Sequence, residues 1–132
     1  MKKAKLIKPL KNKLDKAFSE YIRRKYADKK GIVACVTCGA KKPWKQMQAG
    51  HYIKRSHMAT RWYELNVYPQ CCGCNMFLHG NYPKFTEWII KNKGLFTLEY
   101  LLDRQKEIVK ISQADMQVML EDYRQKLLEM ED

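Results

Sequence analysis

Apolar residues recur at three- and four-residue intervals from about Asn12 to Lys29, at Leu14, Phe18, Tyr21 or Ile22, and Tyr26. That spacing predicts an amphipathic helix. Its opposite face carries Lys13, Lys16, Arg23 and Arg24, and Gly31 is placed to end it as a C-cap. Ahead of it, residues 1–11 alternate lysine with apolar residues and include Pro9, which reads as a flexible basic arm. The pattern then changes. Ile32 to Ala34 reads as a short strand, and Met47 to Lys54 as the first strand of a hairpin. Arg55 to Arg61 reads as a loop, Glu64 to Gln70 as the stretch holding the returning strand, and Cys71 as the start of a helix. The helical period returns from Pro83 to Lys91, with Phe85, Trp88 and Ile89 inward and Gly94 as the stop, and again from Leu98 to Val109. Ser112-Gln113-Ala114-Asp115 is a capping box by residue type. The helix behind it places Met116, Met119 or Leu120, Tyr123, Leu127 and Met130 on one stripe, which either packs on the domain itself or suits a helical partner.

The cysteines add a constraint that periodicity does not. Cys35-Val36-Thr37-Cys38 precedes the hairpin, and Cys71-Cys72-Gly73-Cys74 opens the helix behind it. Each C-x-x-C pair can present two thiolates to one ion, and two pairs complete a closed tetrahedral Zn²⁺ site with sulfurs at roughly 2.3 Å. Only Cys71 has the right spacing to Cys74, so Cys72 reads as a spare thiol. The N-terminus has no apolar core after its lysines, so a secretory leader is not expected. In a reducing cytosol, paired cysteines more often hold metal than form disulfides. The zinc would fix hairpin to helix as a ββα-metal unit, and structural zinc contributes on the order of 10 kcal/mol of folding free energy in peptides.

Charge narrows the class of partner. The chain of 132 residues has 26 Lys and Arg against 14 Asp and Glu, for a net charge of +12. Residues 1–30 hold 12 basic and three acidic residues, and Lys41 to Arg61 holds six basic residues and no acidic one. From Leu95 to Asp132 the sign flips, with five basic and nine acidic residues. A basic front that continues into the cysteine region points to a polyanion, with a solvated lysine face as the plainer alternative. No apolar run approaches the roughly 20 residues that span a bilayer, so no membrane partner is expected.

At this point the residues carry a resemblance. Ala49-Gly50-His51-Tyr52, Arg61-Trp62-Tyr63-Glu64-Leu65-Asn66, Gln70-Cys71-x-x-Cys74-Asn75 and Gly80-Asn81 resemble the NinG/Rap family of lambdoid phage recombination proteins. The likeness runs on through Trp88-Ile89-Ile90 and Gly94 to Leu98-Glu99-Tyr100-Leu101, covering about residues 30–102. More distantly, the order C-x-x-C, His, C-x-x-C-Asn is similar to phage recombination endonuclease VII. Both resemblances point to the HNH, or His-Me finger, class of nucleases. The resemblance implies an α+β, mostly helical fold with a zinc-stapled ββα-metal core. It also implies a phage or prophage endonuclease acting on branched DNA in the bacterial cytoplasm.

Phosphodiester hydrolysis needs a base for the attacking water and charge stabilisation for the phosphorane. His51 is the candidate base, since imidazole is largely neutral near its ordinary pKa of about 6.5; a core histidine is the alternative. Asn75, directly after the last zinc cysteine, matches the position that binds the catalytic Mg²⁺ or Mn²⁺ in the resembled enzymes, and would otherwise cap the helix. Asn66 matches the middle asparagine of the HNH pattern, where it orients the histidine, and would otherwise be an ordinary turn residue. Many HNH sites place an aspartate just before the histidine, and here that residue is Gly50. His79, four residues after Asn75, and Glu64, the only carboxylate between Cys35 and Cys74, are the remaining candidates for the catalytic cation. His79 could instead touch phosphate, and Glu64 could pair with Arg61. Lys41, Lys42, Lys45, Lys54, Arg55 and Arg61, with the basic arm, would grip phosphates. His57 reads as a phosphate contact or plain surface. Trp44 and Trp62 are either core or stacking platforms for unpaired bases.

The organisation expected is therefore a basic arm and helix over 1–30, a zinc-stapled nuclease core over 31–94, and C-terminal helices over 95–132, all in one domain. A homodimer through those last helices would suit an enzyme that cuts two opposed strands. A non-catalytic zinc-stapled DNA-binding accessory protein is the rival reading.

Overall fold

A computed structural model describes residues 2–131, with side chains from Ile7 onward. The first helix, α1, runs over Lys2–Lys25. The stretch expected as a flexible arm therefore continues the helix, apart from Met1, which lies outside the described residues. Ile7 and Leu10 explain the difference: with Leu14 they extend the apolar stripe by one more turn, and Leu10 is buried in the same core as Leu14 and Phe18. Pro9 costs the helix one N–H bond, and it sits on the exposed side. At the other end Gly31 is not the cap. The helix stops at Lys25, and Gly31 (φ +80°) instead completes a turn in which the Asp28 carboxylate accepts from the amides of Lys30 and Ile32.

Two antiparallel hairpins follow. β1 (Ile32–Ala34) pairs with β2 (Lys41–Pro43), in register Ile32 to Pro43. The first cysteine knuckle is the loop between them. β3 (Gln48–His51) pairs with β4 (Val67–Gln70), in register Gln48 to Gln70 and His51 to Val67. The connection, expected as loop, holds the short helix α2 (Met58–Arg61) and a 3-10 turn over Glu64–Asn66, so the returning strand begins only at Val67. The expected helix behind Cys71 is also different. It is a wide π-turn over Gly73–Phe77, and α3 does not start until Tyr82. His79 and Asn81 are left-handed (φ +50° and +49°), which interrupts the helical path between them. α3 covers Tyr82–Lys93, α4 Leu95–Arg104 and α5 Gln113–Glu129. The Ser112 side chain accepts from the amide of Asp115, capping α5 as its sequence indicates.

β4 is buried along its whole length and lies between two helical layers. Val67 faces a core made by α1 and α5, with Leu14, Phe18, Ile22, Met116, Leu120 and Tyr123. The next residue, Tyr68, faces the opposite way, into a core with Phe85, Ile89, Leu98 and Leu101 of α3 and α4, as strand alternation requires. The stripe on α5 is thus largely used within the chain: Tyr123 packs edge-on against Phe18 at 5.0 Å. A third cluster, with Val33 and Met47, surrounds the cysteines.

Candidate metal centre and adjoining cavity

The sulfurs of Cys35, Cys38, Cys71 and Cys74 all lie within 4.8 Å of one another. A tetrahedral ion with bonds of roughly 2.3 Å requires edges of about 3.8 Å, and Cys38 Sγ is 3.7 Å from Cys71 Sγ. Cys72, the spare thiol, points instead to Met76. The thiols cannot all ionise in this space unaided. Burial pushes Cys35 up, but hydrogen bonds from the Thr37 hydroxyl and from backbone amides of Cys71, Cys38 and Thr37 outweigh it and bring Cys35 down to about 6. Cys38 is pushed up to about 12: an Ala40 backbone bond opposes this, but burial and the three neighbouring sulfurs prevail. One easily formed thiolate beside crowded, resisting ones is the donor set that a divalent, sulfur-preferring cation resolves, and the residues fit Zn²⁺.

Beside this cluster opens a cavity of about 360 Å³. His51 reaches it from the end of β3, Asn75 from the π-turn, and His79 from the bend that follows; Lys54 and Arg55 lie on its rim. The shared helical face proposed for Asn75 and His79 does not exist, because the helix is broken between them; the break itself brings both side chains to one space. His51 Nε2 is 2.8 Å from the carbonyl oxygen of Arg61. A carbonyl can only accept, so Nε2 carries the proton and the lone pair sits on Nδ1. Burial lowers the pKa of His51 below 6.5; backbone bonds to Arg61 and Ala49 and the charge of Asp15 pull it up, and the Arg55 charge pushes it down. Asn75 Nδ2 donates to Gln48 Oε1 at 2.7 Å, which leaves Asn75 Oδ1 free to face a cation.

Asn66 is fully buried and fully engaged. Its Oδ1 accepts from the Ile53 amide at 2.7 Å, and its Nδ2 donates to the carbonyls of Ile53 and Thr60 at 3.0 Å. It therefore ties together both ends of the loop that separates His51 from Arg61. Glu64 lies elsewhere. Its carboxylate pairs with Lys25, Lys126 and the Tyr123 hydroxyl, between α1 and α5, and not with Arg61. Arg61 is engaged by Asp15, through Nε at 3.1 Å and Nη2 at 2.5 Å. Trp62 is core, 6% exposed, and its indole also donates to Asp15. Trp44 is half-buried against the guanidinium groups of Arg23 and Arg24. His57 donates from Nδ1 to the Gln105 carbonyl. Lys41, Lys42 and Lys45 are exposed around the cysteine module.

Three residues at the site had no functional role assigned from the sequence. Asp15 lines the cavity from α1; its signal was being the lone carboxylate among residues 1–19. Gln48 orients Asn75. Gln70, fully buried, donates to Thr37 Oγ1 and to the Gly80 carbonyl. A β-carbon at Gly50 would sit 1.9 Å from Gln70 Oε1, so the position before His51 has no room for an aspartate.

No helix among the described residues is long and apolar enough to cross a membrane. Compared with known proteins, residues 1–132 match the family model described as Bacteriophage Lambda NinG protein. No curated protein and no solved structure matches the chain.

Proposed function

This chain belongs to the NinG family of phage recombination proteins, and from that premise we propose that it is a structure-selective DNA endonuclease. Its substrates are branched recombination intermediates, namely Holliday junctions, D-loops and forks, in the bacterial host cytoplasm. The observation that carries this reading is the contact of His51 Nε2 with the Arg61 carbonyl oxygen. The Nε2 proton is held by that carbonyl, so Nδ1 is the basic atom at a cavity shared with Asn75 and His79. A hairpin that leads into a helical turn bearing Asn75 supports assignment to the HNH class.

His51 Nδ1 takes the proton of the attacking water. Arg61 is a positioning residue, since its backbone holds the imidazole while its side chain is held by Asp15 and Trp62 holds Asp15 in turn. Asn66 fixes the loop between them. Asn75 Oδ1 and His79 would hold Mg²⁺ or Mn²⁺, with DNA phosphate and water as further ligands. That cation, when bound, neutralises charge on the phosphorane and the leaving oxygen. Lys54 and Arg55 on the rim, with Lys41, Lys42 and Lys45, hold flanking phosphates. Cys35, Cys38, Cys71 and Cys74 would hold a zinc that joins the two knuckles and takes no part in the hydrolysis.

One observation favours the rival reading of a non-catalytic DNA-binding accessory. Asp15 is the only carboxylate lining the cavity among the described residues, and both its oxygens are already engaged. Purified protein incubated with a labelled four-way junction, a Y-fork and duplex, with Mg²⁺ or Mn²⁺, separates the two. Cutting of branched DNA that His51→Ala and Asn75→Ala both abolish, with zinc and binding retained, supports the nuclease. Tight junction binding without cutting by any of the proteins supports the accessory.

A further inference from the structure

Met76, Phe77 and Leu78 are 57%, 76% and 58% exposed. Three consecutive large apolar side chains facing solvent mark an interaction surface in a soluble fold. Their place is specific. They lie between Asn75 and His79, both of which line the cavity. The backbone beneath them is pinned: Asn75 N donates to the Cys71 carbonyl, Leu78 N to that of Gly73, and Gly80 N to that of Cys74, each at 2.9 Å. The apolar tip is thus mounted on the two cysteines of the second knuckle and held rigidly beside the reactive space.

We propose that Met76, Phe77 and Leu78 form a wedge that stacks against unpaired nucleobases at the branch point of the DNA substrate, with Phe77 as the leading side chain. This rests on the branched-DNA reading above. Charge complementarity selects the occupant: the rim of the same cavity carries Lys54 and Arg55 in a chain of net charge +12. A nucleic acid offers phosphates to those cations and apolar base faces to the tip within one molecule. Three side chains are far too small a patch for a stable protein interface. Fully paired duplex keeps its base faces covered, whereas a branch exposes them or yields them at little unstacking cost. The wedge therefore supplies discrimination by shape at the place where the phosphodiester is presented. It also takes the role that the sequence suggested for Trp44 and Trp62, which are half-buried and buried.

The test compares wild type, Phe77→Ala and Phe77→Trp for binding to a four-way junction and to matched duplex, with divalent cation withheld. 2-Aminopurine at the branch point reports unstacking. Alanine is expected to weaken junction binding about 5- to 150-fold, the range implied by base–aromatic stacking. Duplex binding should stay unchanged and the fluorescence rise should be lost, while tryptophan restores both junction affinity and fluorescence. Because Phe77 is largely exposed, neither variant should alter zinc content or folding. Phe77→Ala that binds and unstacks the junction as wild type does would overturn the wedge while leaving the nuclease reading standing. Equal losses on junction and duplex would overturn it too. Wild type with no preference for junction over duplex would sink both.

Discussion

Gln70 Oε1 occupies the space into which a side chain at Gly50 would project, 1.9 Å from where the β-carbon would sit. The two residues face each other diagonally across the hairpin β3–β4, and Gln70 is anchored there by Thr37 and Gly80. The glycine before the histidine is thus a packing consequence of the glutamine, and the two positions are coupled. Gly50→Ala should destabilise the protein by about 1–3 kcal/mol through overpacking. In combination with Gln70→Ala the added loss should be much smaller than in the wild-type background. A double-mutant cycle by urea denaturation measures this, and strict additivity would disprove the coupling.

His51→Ala should reduce cutting of a four-way junction by about 10²- to 10⁴-fold, the usual contribution of a positioned base. Gln48→Ala should act more mildly and through Asn75: the divalent-cation concentration needed for half-maximal rate should rise, and the rate at saturating cation should largely recover. A titration of rate against Mn²⁺ distinguishes this from a loss of folding.

Asp15→Asn should weaken the network that fixes Arg61. The loss of charge-assisted bonds predicts about 1.5–3 kcal/mol of stability. Cutting should fall further than DNA binding does, because the Arg61 carbonyl positions His51. Equal losses of binding and cutting would argue against that link.

The pH dependence has a definite sign. Burial holds the pKa of His51 below 6.5. The unfolded chain therefore takes up this proton first as pH falls. The stabilising contribution is present above about 6.5 and is lost as pH drops through the folded value. The cutting rate should be flat at and above neutrality and decline on the acid side. Thermal melts of wild type and His51→Gln between about pH 5 and 8 should converge toward acid pH if burial dominates.

Removing zinc should strongly destabilise the cysteine module, since it leaves four thiols crowded together with only the Val36–Pro69 backbone bond, the Gln70 bridge and a small apolar cluster to hold the knuckles. Cys38→Ser should lose about one equivalent of zinc per chain and the near-ultraviolet signal of the folded state. Restoring Mg²⁺ alone to chelated protein should not recover structure, whereas Zn²⁺ should.

The parts legible in the sequence were those with local spacing rules. The four cysteines meet because each pair sits on one tight turn, and the strand carrying His51 shows in its own short pattern. The convergence of Asn75 and His79 was legible only by accident, because it depends on a break in the helix rather than on a helical face. Asp15 stands out locally only as a lone carboxylate in a basic stretch; its partner Arg61 lies 46 positions away and arrives by tertiary packing, which no local spacing marks. For the same reason Glu64 looked available until α1 and α5 closed around it. Of the two places open to Trp62, the structure takes the core, and Phe77, to which the sequence assigned no role, is the aromatic left exposed. Trp62 finds the half-buried Asp15 as acceptor for its indole, while Phe77 is carried outward on a turn whose backbone is bonded to the second cysteine knuckle.

The packing of α5 on α1 bears on synthesis. Asp15 and Ser19 on α1 line the cavity, yet α1 is covered by Met116, Leu120 and Tyr123 of α5. Every other element of the site precedes α5 in the chain. The helix that completes the scaffold is therefore translated after all the groups that line the cavity, and a nascent chain still holding α5 in the ribosome carries those groups without the packing that arranges them.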